Sequence, residues 1–173
     1  MPPEAHLTRL DSIFYRMVFA SESECVLSSA RAPEGRSHHS GQRALYLSAT
    51  AEGTVVAVRR YMKPDDPERV IVAVRVIGER IVDLRDTKAT AFFGIDTTHR
   101  AAEWQAIRDT GAPSPTWAIS DRVRELGLQG MLYASRSDPA KTHLTLFRWN
   151  ESNGALVEVA GRPFLYDGAT PTF

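Results

Sequence analysis

An α+β fold follows from three observations on this sequence. Arg69–Ile77 alternates, with Val70, Val72, Val74 and Val76 on one side and Ile71, Ala73, Arg75 and Ile77 on the other. Such a strand is apolar on both faces and belongs in the centre of a sheet. Amphipathic segments that end on Gly94, Gly111 and Gly127 read as short helices, because glycine accepts the left-handed turn that closes a helix. Further strand-length apolar runs follow them at Met131–Ala134, His143–Trp149 and Ala155–Val159.

The chain has 173 residues, which suits one domain over 1–173 with a core of useful size. Apolar residues make up 43% and charged residues 24%, and the formal net charge is +0. That neutrality argues against a dedicated nucleic-acid binder, which needs a basic excess. The single cysteine, Cys25, excludes an intrachain disulfide and fits a reducing compartment; between polar and apolar neighbours it reads as half-buried. No apolar run approaches the ~20 residues of a membrane span. Met1–His6 lacks the basic-then-apolar order of a signal peptide, so a cytoplasmic location is expected.

The elements follow in order. Ile13–Phe19 reads as a strand interrupted by Arg16. Residues 28–43 are rich in Ser, Gly, Arg and His and form a long loop, and Leu45–Leu47 is a brief strand. Glu52–Met62 reads as a helix capped by Thr50, with Val55, Val58 and Met62 on its apolar face. Lys63–Pro67 stops it. After the central strand, Gly78–Glu79 reads as the turn of a hairpin into Arg80–Leu84. Helices are then expected over Asp86–Phe93, Thr98–Thr110 and Pro115–Leu126.

Chemistry concentrates in Gly35–Ser48. Arg36 follows a glycine and sits near Arg31, Arg43, His38 and His39, a set suited to gripping phosphate or carboxylate. A solvated loop arginine is the plain alternative. Arg16 within an apolar strand must be paired or face a cavity. The adjacent histidines point to opposite sides and have no third ligand at familiar spacing, so no metal site is expected. Tyr46 either fills the core or stacks on a flat heterocycle. Glu52 is a carboxylate at a helix start, a position the helix dipole favours anyway. Ser135 and Arg136 end a strand, where they would reach a ribose or phosphate. No P-loop, dinucleotide fingerprint or Ser-His-Asp order is present.

Taken in order, Tyr15–Arg16, Gly35–Arg36, Ala44–Leu45–Tyr46–Leu47–Ser48 and Gly130–Met131–Leu132–Tyr133–Ala134–Ser135–Arg136 resemble the RES-domain family, toxins of bacterial toxin–antitoxin modules. The resemblance covers about residues 13–160 and implies an ADP-ribosyltransferase-like split β-sheet with flanking short helices around an NAD+ cleft. It implies NAD+ as substrate, consumed by ADP-ribosylation of a protein or by phosphorolysis or hydrolysis. One branch of the family modifies phosphoribosyl pyrophosphate synthetase. It also implies an Xre-like helix-turn-helix antitoxin covering the cleft, with no direct nucleic-acid or membrane binding by the toxin itself.

By position, the resemblance gives Arg16, Arg31, Arg36, His38, Tyr46 and Ser135 to NAD+ binding. Catalysis falls to Arg36, Tyr46 and a carboxylate. The family's glutamate lies further into the helix, where this chain has Ala57 and Val58, which leaves Glu52 as the nearby acid. Transfer to a protein that brings its own nucleophile is the reading this favours. An NAD+ phosphorylase or glycohydrolase, and an inactive RES-like binding module, are the competing readings. An RNase is disfavoured by the neutral charge.

Overall fold

A computed structural model describes residues 3–166. Among these, six strands form one sheet: β1 (Thr8–Phe19), β2 (Leu45–Ser48), β3 (Arg69–Asp83), β4 (Gly130–Ala134), β5 (Thr142–Leu146) and β6 (Leu156–Val159). Four α-helices accompany it: α1 (Ala51–Val58), α2 (Thr87–Phe93), α3 (Trp104–Asp109) and α4 (Thr116–Glu125). The expected α+β class is observed.

The order β1-β2-β5-β4-β3 returns on itself because β1 also pairs antiparallel with β3, and β6 adds to β3. The ring is tight along β1–β3, where pairing runs from Phe19 opposite Arg69 to Thr8 opposite Ile81. It is almost open between β1 and β2, which share a single pair, Tyr15 opposite Ser48. This is the split in the sheet.

Two-residue periodicity then sorts the side chains. Leu45, Leu47, Leu132, Leu144 and Leu146 point inward with Val72, Val74 and Val76 to make the main core. The other face of β2, β4 and β5 carries Tyr46, Ser48, Tyr133, His143 and Thr145, opposed in register as Tyr46–Thr145, Ser48–His143 and Tyr133–His143. Helices α2 and α4 cover part of that face through Phe93, Ile119 and Val123 against Val82, Met131 and Phe147. What they leave uncovered is polar.

Several expected boundaries are corrected. Gly78–Glu79 is no hairpin turn, since β3 runs straight through it for 15 residues. Gln129 explains this: its side-chain oxygen accepts from the backbone N–H of Glu79 at 3.0 Å and Arg80 at 3.1 Å. Those donors lie between the stretch paired with β6 and the stretch paired in parallel with β4. The helix expected over Glu52–Met62 is α-helical only to Val58, with a 3₁₀ turn over Arg59–Tyr61. Its buried residues are Ala51, Gly53 and Thr54, and Met62 is exposed. The helix expected over Thr98–Thr110 is reduced to Trp104–Asp109, because the residues before it close as three-residue turns, Arg100 onto Thr97 and Ala102 onto His99. Strand β5 ends at Leu146, and Cys25 is exposed. Thr50 does cap α1, Asp86 caps α2, and Gly94 and Gly127 adopt left-handed φ of 62° and 65°.

Candidate active site

A cleft of about 560 Å³ opens at the split between β1 and β2, within the size range of small-molecule sites. Its walls come from Arg16 on β1, Tyr46 and Ser48 on β2, the loop before β2, the inner side of α1, Tyr133 on β4, Ser135 just after it, and His143 on β5.

Arg16 shares its strand face with the core residues Phe14 and Val18, so its guanidinium is drawn inward. It donates to the carbonyls of Val26 and Ser28. Burial pushes its pKa down to about 10. Arg36 donates to the carbonyls of Arg100 and Ala102, both at 3.1 Å, and burial lowers its pKa as well. Neither arginine has a carboxylate in ion-pair contact among the described residues. Two desolvated cations held only by carbonyl dipoles make the cleft a place for an anion. The two carbonyls that Arg36 meets lie in a stretch of tight turns, where Arg100 N–H bonds the Thr97 carbonyl and Ala102 N–H bonds the His99 carbonyl.

The loop is locked by its own side chains. His38 is 2.8 Å from the Tyr46 hydroxyl through Nδ1 and 2.8 Å from the Ala32 carbonyl through Nε2. The Tyr46 hydroxyl also accepts from Ser37 N–H at 2.9 Å. Gly35 passes so close that an added Cβ would lie 2.5 Å from the His38 ring and 2.8 Å from the Tyr46 oxygen. His39 stacks on Trp117 and reaches Asp121 at 2.9 Å, tying the loop to α4. Arg124 joins in, donating to the carbonyls of Ser37 and Arg43. Among the described residues no group of His, Cys, Asp and Glu has the arrangement of a metal site.

Of the residues expected at the site, Arg16, Arg36, His38, Tyr46 and Ser135 line the cleft. Two do not. Arg31 is exposed on the outside and paired with Glu22. Glu52 points to solvent and pairs with Lys141, because the start of α1 turns its acidic residue away while Thr54, Val56, Ala57 and Val58 face the cavity. His38 is at the wall but has both ring nitrogens committed to protein partners, so its part is to hold Tyr46. The Ser135 hydroxyl accepts from Asp138 N–H at 3.3 Å, closing the turn after β4.

Other groups join the site, and of these the sequence had singled out only Arg136. Glu34 is the one carboxylate among the described residues that line the cleft; Arg108 forks onto it at 2.8 and 3.0 Å and holds its carboxyl below the usual range. Arg60 and Arg136 stand at the rim and share Glu103. Tyr133 and His143 form the floor with ring centroids 5.7 Å apart. The signal for them was the alternation Tyr133, His143, Thr145 against Leu132, Leu144, Leu146 on adjacent strands.

A family model, the RES domain, matches residues 7–167, and the chain belongs to that family. In fold it is similar to a chain in the crystal structure of the M. tuberculosis MbcT–MbcA toxin–antitoxin complex, with 16% sequence identity and a TM-score of 0.58. That likeness covers 91% of this chain and 89% of the other. No curated protein matches the chain in sequence. No helix of the described residues is long and apolar enough to cross a membrane.

Proposed function

We propose that the protein is an NAD+-dependent ADP-ribosyltransferase acting as the toxin of a toxin–antitoxin pair. The observation that carries this is the pair Arg16 and Arg36, two desolvated cations without carboxylate partners among the described residues, in one cleft beside the Tyr46 ring. They suit the pyrophosphate and ribose of NAD+, and Tyr46 suits the nicotinamide ring. In the reaction the bond from ribose C1′ to the nicotinamide nitrogen breaks. Its electron pair leaves with neutral nicotinamide, and a nucleophile closes on the oxocarbenium-like carbon. The acceptor's proton departs with its own base or to solvent.

Protein transfer is favoured because Glu52 stands outside the cleft and apolar Val56, Ala57 and Val58 line the helix wall. A target that brings a positioned nucleophile needs no activating carboxylate from this chain. Phosphoribosyl pyrophosphate synthetase is the candidate target carried by the family resemblance. The second reading, NAD+ hydrolysis or phosphorolysis, is favoured by one observation, the position of Glu34 on the cleft wall. The neighbouring structure pairs a toxin with an antitoxin. We extend that pairing to this chain, with an Xre-like partner covering the arginine-rich rim.

The test is incubation with adenylate-labelled NAD+ and cell extract. Label on a discrete protein band supports transfer. Free ADP-ribose or its 1″-phosphate with no labelled band replaces it with the second reading. Intact NAD+ under all conditions, together with harmless expression, leaves an inactive binding module.

A further inference from the structure

We propose that His143 is a hydrogen-bond donor on the floor of the cleft, held by Ser48 as the neutral Nε2–H tautomer, and that it binds the carboxamide oxygen of the nicotinamide ring. The second half rests on the NAD+ reading; the first rests on geometry alone.

The register of β2 against β5 sets Ser48 opposite His143, and the Ser48 hydroxyl lies 2.8 Å from Nδ1. Ser48 is 3% exposed. Among the described residues its hydroxyl has one recorded partner, that ring nitrogen. If Nδ1 carried the proton, it would donate to the Ser48 oxygen and leave the hydroxyl hydrogen without a protein acceptor among the described residues. With Nδ1 bare, the hydroxyl donates and no hydrogen is lost. The proton therefore belongs on Nε2.

Nε2 has no protein partner among the described residues and is not among their buried unpaired atoms, while His143 lines the cavity. It faces the space a ligand fills. Tyr133 packs against the imidazole at 5.7 Å, and the Tyr133 hydroxyl is itself held by Thr145 at 3.0 Å, so the ring plane has little freedom. Burial and the nearby Arg36 charge keep the imidazole uncharged, with a pKa of about 4.

The chemistry of the donor narrows what it binds. A fixed, neutral N–H suits an oxygen acceptor and does not repel the cationic pyridinium of NAD+, as an imidazolium would. Arg16 and Arg36 already present charge for the phosphates. Tyr46 lies one diagonal step from His143 on the same sheet face, a separation of roughly 7–8 Å. A ring stacked on Tyr46 carries its carboxamide toward that N–H.

Histidine-labelled protein tests both halves by long-range ¹H–¹⁵N NMR, with His143 assigned by His143→Gln. The expected spectrum at neutral pH shows Nε2 protonated and Nδ1 bare, and Ser48→Ala removes that preference. A protonated Nδ1 overturns the proposal. Nicotinamide, ADP-ribose and pyridine are then added separately to the wild-type protein. A response of the His143 Nε2–H signal to nicotinamide, but not to the other two, is the expected result. An equal response to pyridine, or a response to ADP-ribose alone, overturns it. Binding of nicotinamide and ADP-ribose that leaves His143 silent defeats this proposal and spares the NAD+ reading; failure of both to bind defeats the NAD+ reading. His143→Leu weakens nicotinamide binding about tenfold, as loss of one hydrogen bond requires.

Discussion

Tyr46 donates its hydroxyl proton to His38 Nδ1 across 2.8 Å, and the direction of that bond is set from the far side of the imidazole. His38 Nε2 faces the Ala32 carbonyl, which only accepts, so Nε2 holds the ring's proton and Nδ1 is bare. The hydroxyl is thereby fully engaged, accepting from Ser37 N–H while donating to His38. Tyr46→Phe keeps the ring and strands both partners. It is expected to cost about 1–3 kcal/mol in denaturant unfolding. An unchanged midpoint would show that the hydroxyl does not hold the loop.

Gly35 is the tightest point of the same loop. A methyl group there meets His38 and the Tyr46 oxygen well inside van der Waals distance. Gly35→Ala is expected to shift the loop and lower Tm by several degrees, an effect on the order of 1–3 kcal/mol. Thermal melts compared with those of Gly41→Ala, where a Cβ meets open space but a φ of 77°, separate crowding from backbone strain.

The two arginines of the loop have opposite fates. Arg36→Ala removes a desolvated cation from the cleft and is expected to weaken NAD+ binding at least about tenfold, with circular dichroism unchanged. Arg31→Ala removes an exposed partner of Glu22 and is expected to leave binding within about twofold. Calorimetric titration distinguishes them; equal losses would contradict the assigned cleft.

Carboxylate substitutions follow the same division. Glu52→Gln breaks only the solvent-facing pair with Lys141 and is expected to keep NAD+ turnover. Glu34→Gln changes the cleft wall and loosens the Arg108 fork. Its turnover is expected to fall more than that of Glu52→Gln in a steady-state assay. The reverse order would return the catalytic carboxylate to α1.

Two buried histidines make stability pH-dependent. Burial holds His38 and His143 below the ordinary imidazole value of 6.5, His143 at about 4. Between those values the unfolded chain takes up protons that the folded chain refuses. Stability is therefore full above about pH 6.5 and falls as pH drops toward 4. Urea midpoints at pH 7.5, 6 and 5 are expected to decline for the wild type and to decline less for His143→Gln.

Elements whose signals were local were readable in advance: the valine alternation of β3, the cap at Thr50, the glycine ends of α2 and α4. Readings failed where a distant side chain supplied the deciding bond. Gln129 satisfies Glu79 and Arg80, which turns an apparent hairpin into one strand. The stretch before α3 closes as tight turns whose carbonyls at Arg100 and Ala102 meet Arg36 from a distant loop. At the site, Arg16, Arg36 and Tyr46 reached the cleft, whereas Glu52 did not, because helix phase is set by which side packs on β1 and β2. Tyr133 and His143 were missed because pairing across strands is invisible until the register is known.

β3 contributes Val72, Val74 and Val76 to the main core, Val82 to the helical cluster, and Ile71 with Ala73 to the cluster beneath Tyr15. No cluster can come apart without pulling on that one strand. The domain is therefore expected to open as one unit, with its central amides exchanging together in hydrogen-exchange measurements. Any ligand that binds only the folded state then protects the entire chain at once.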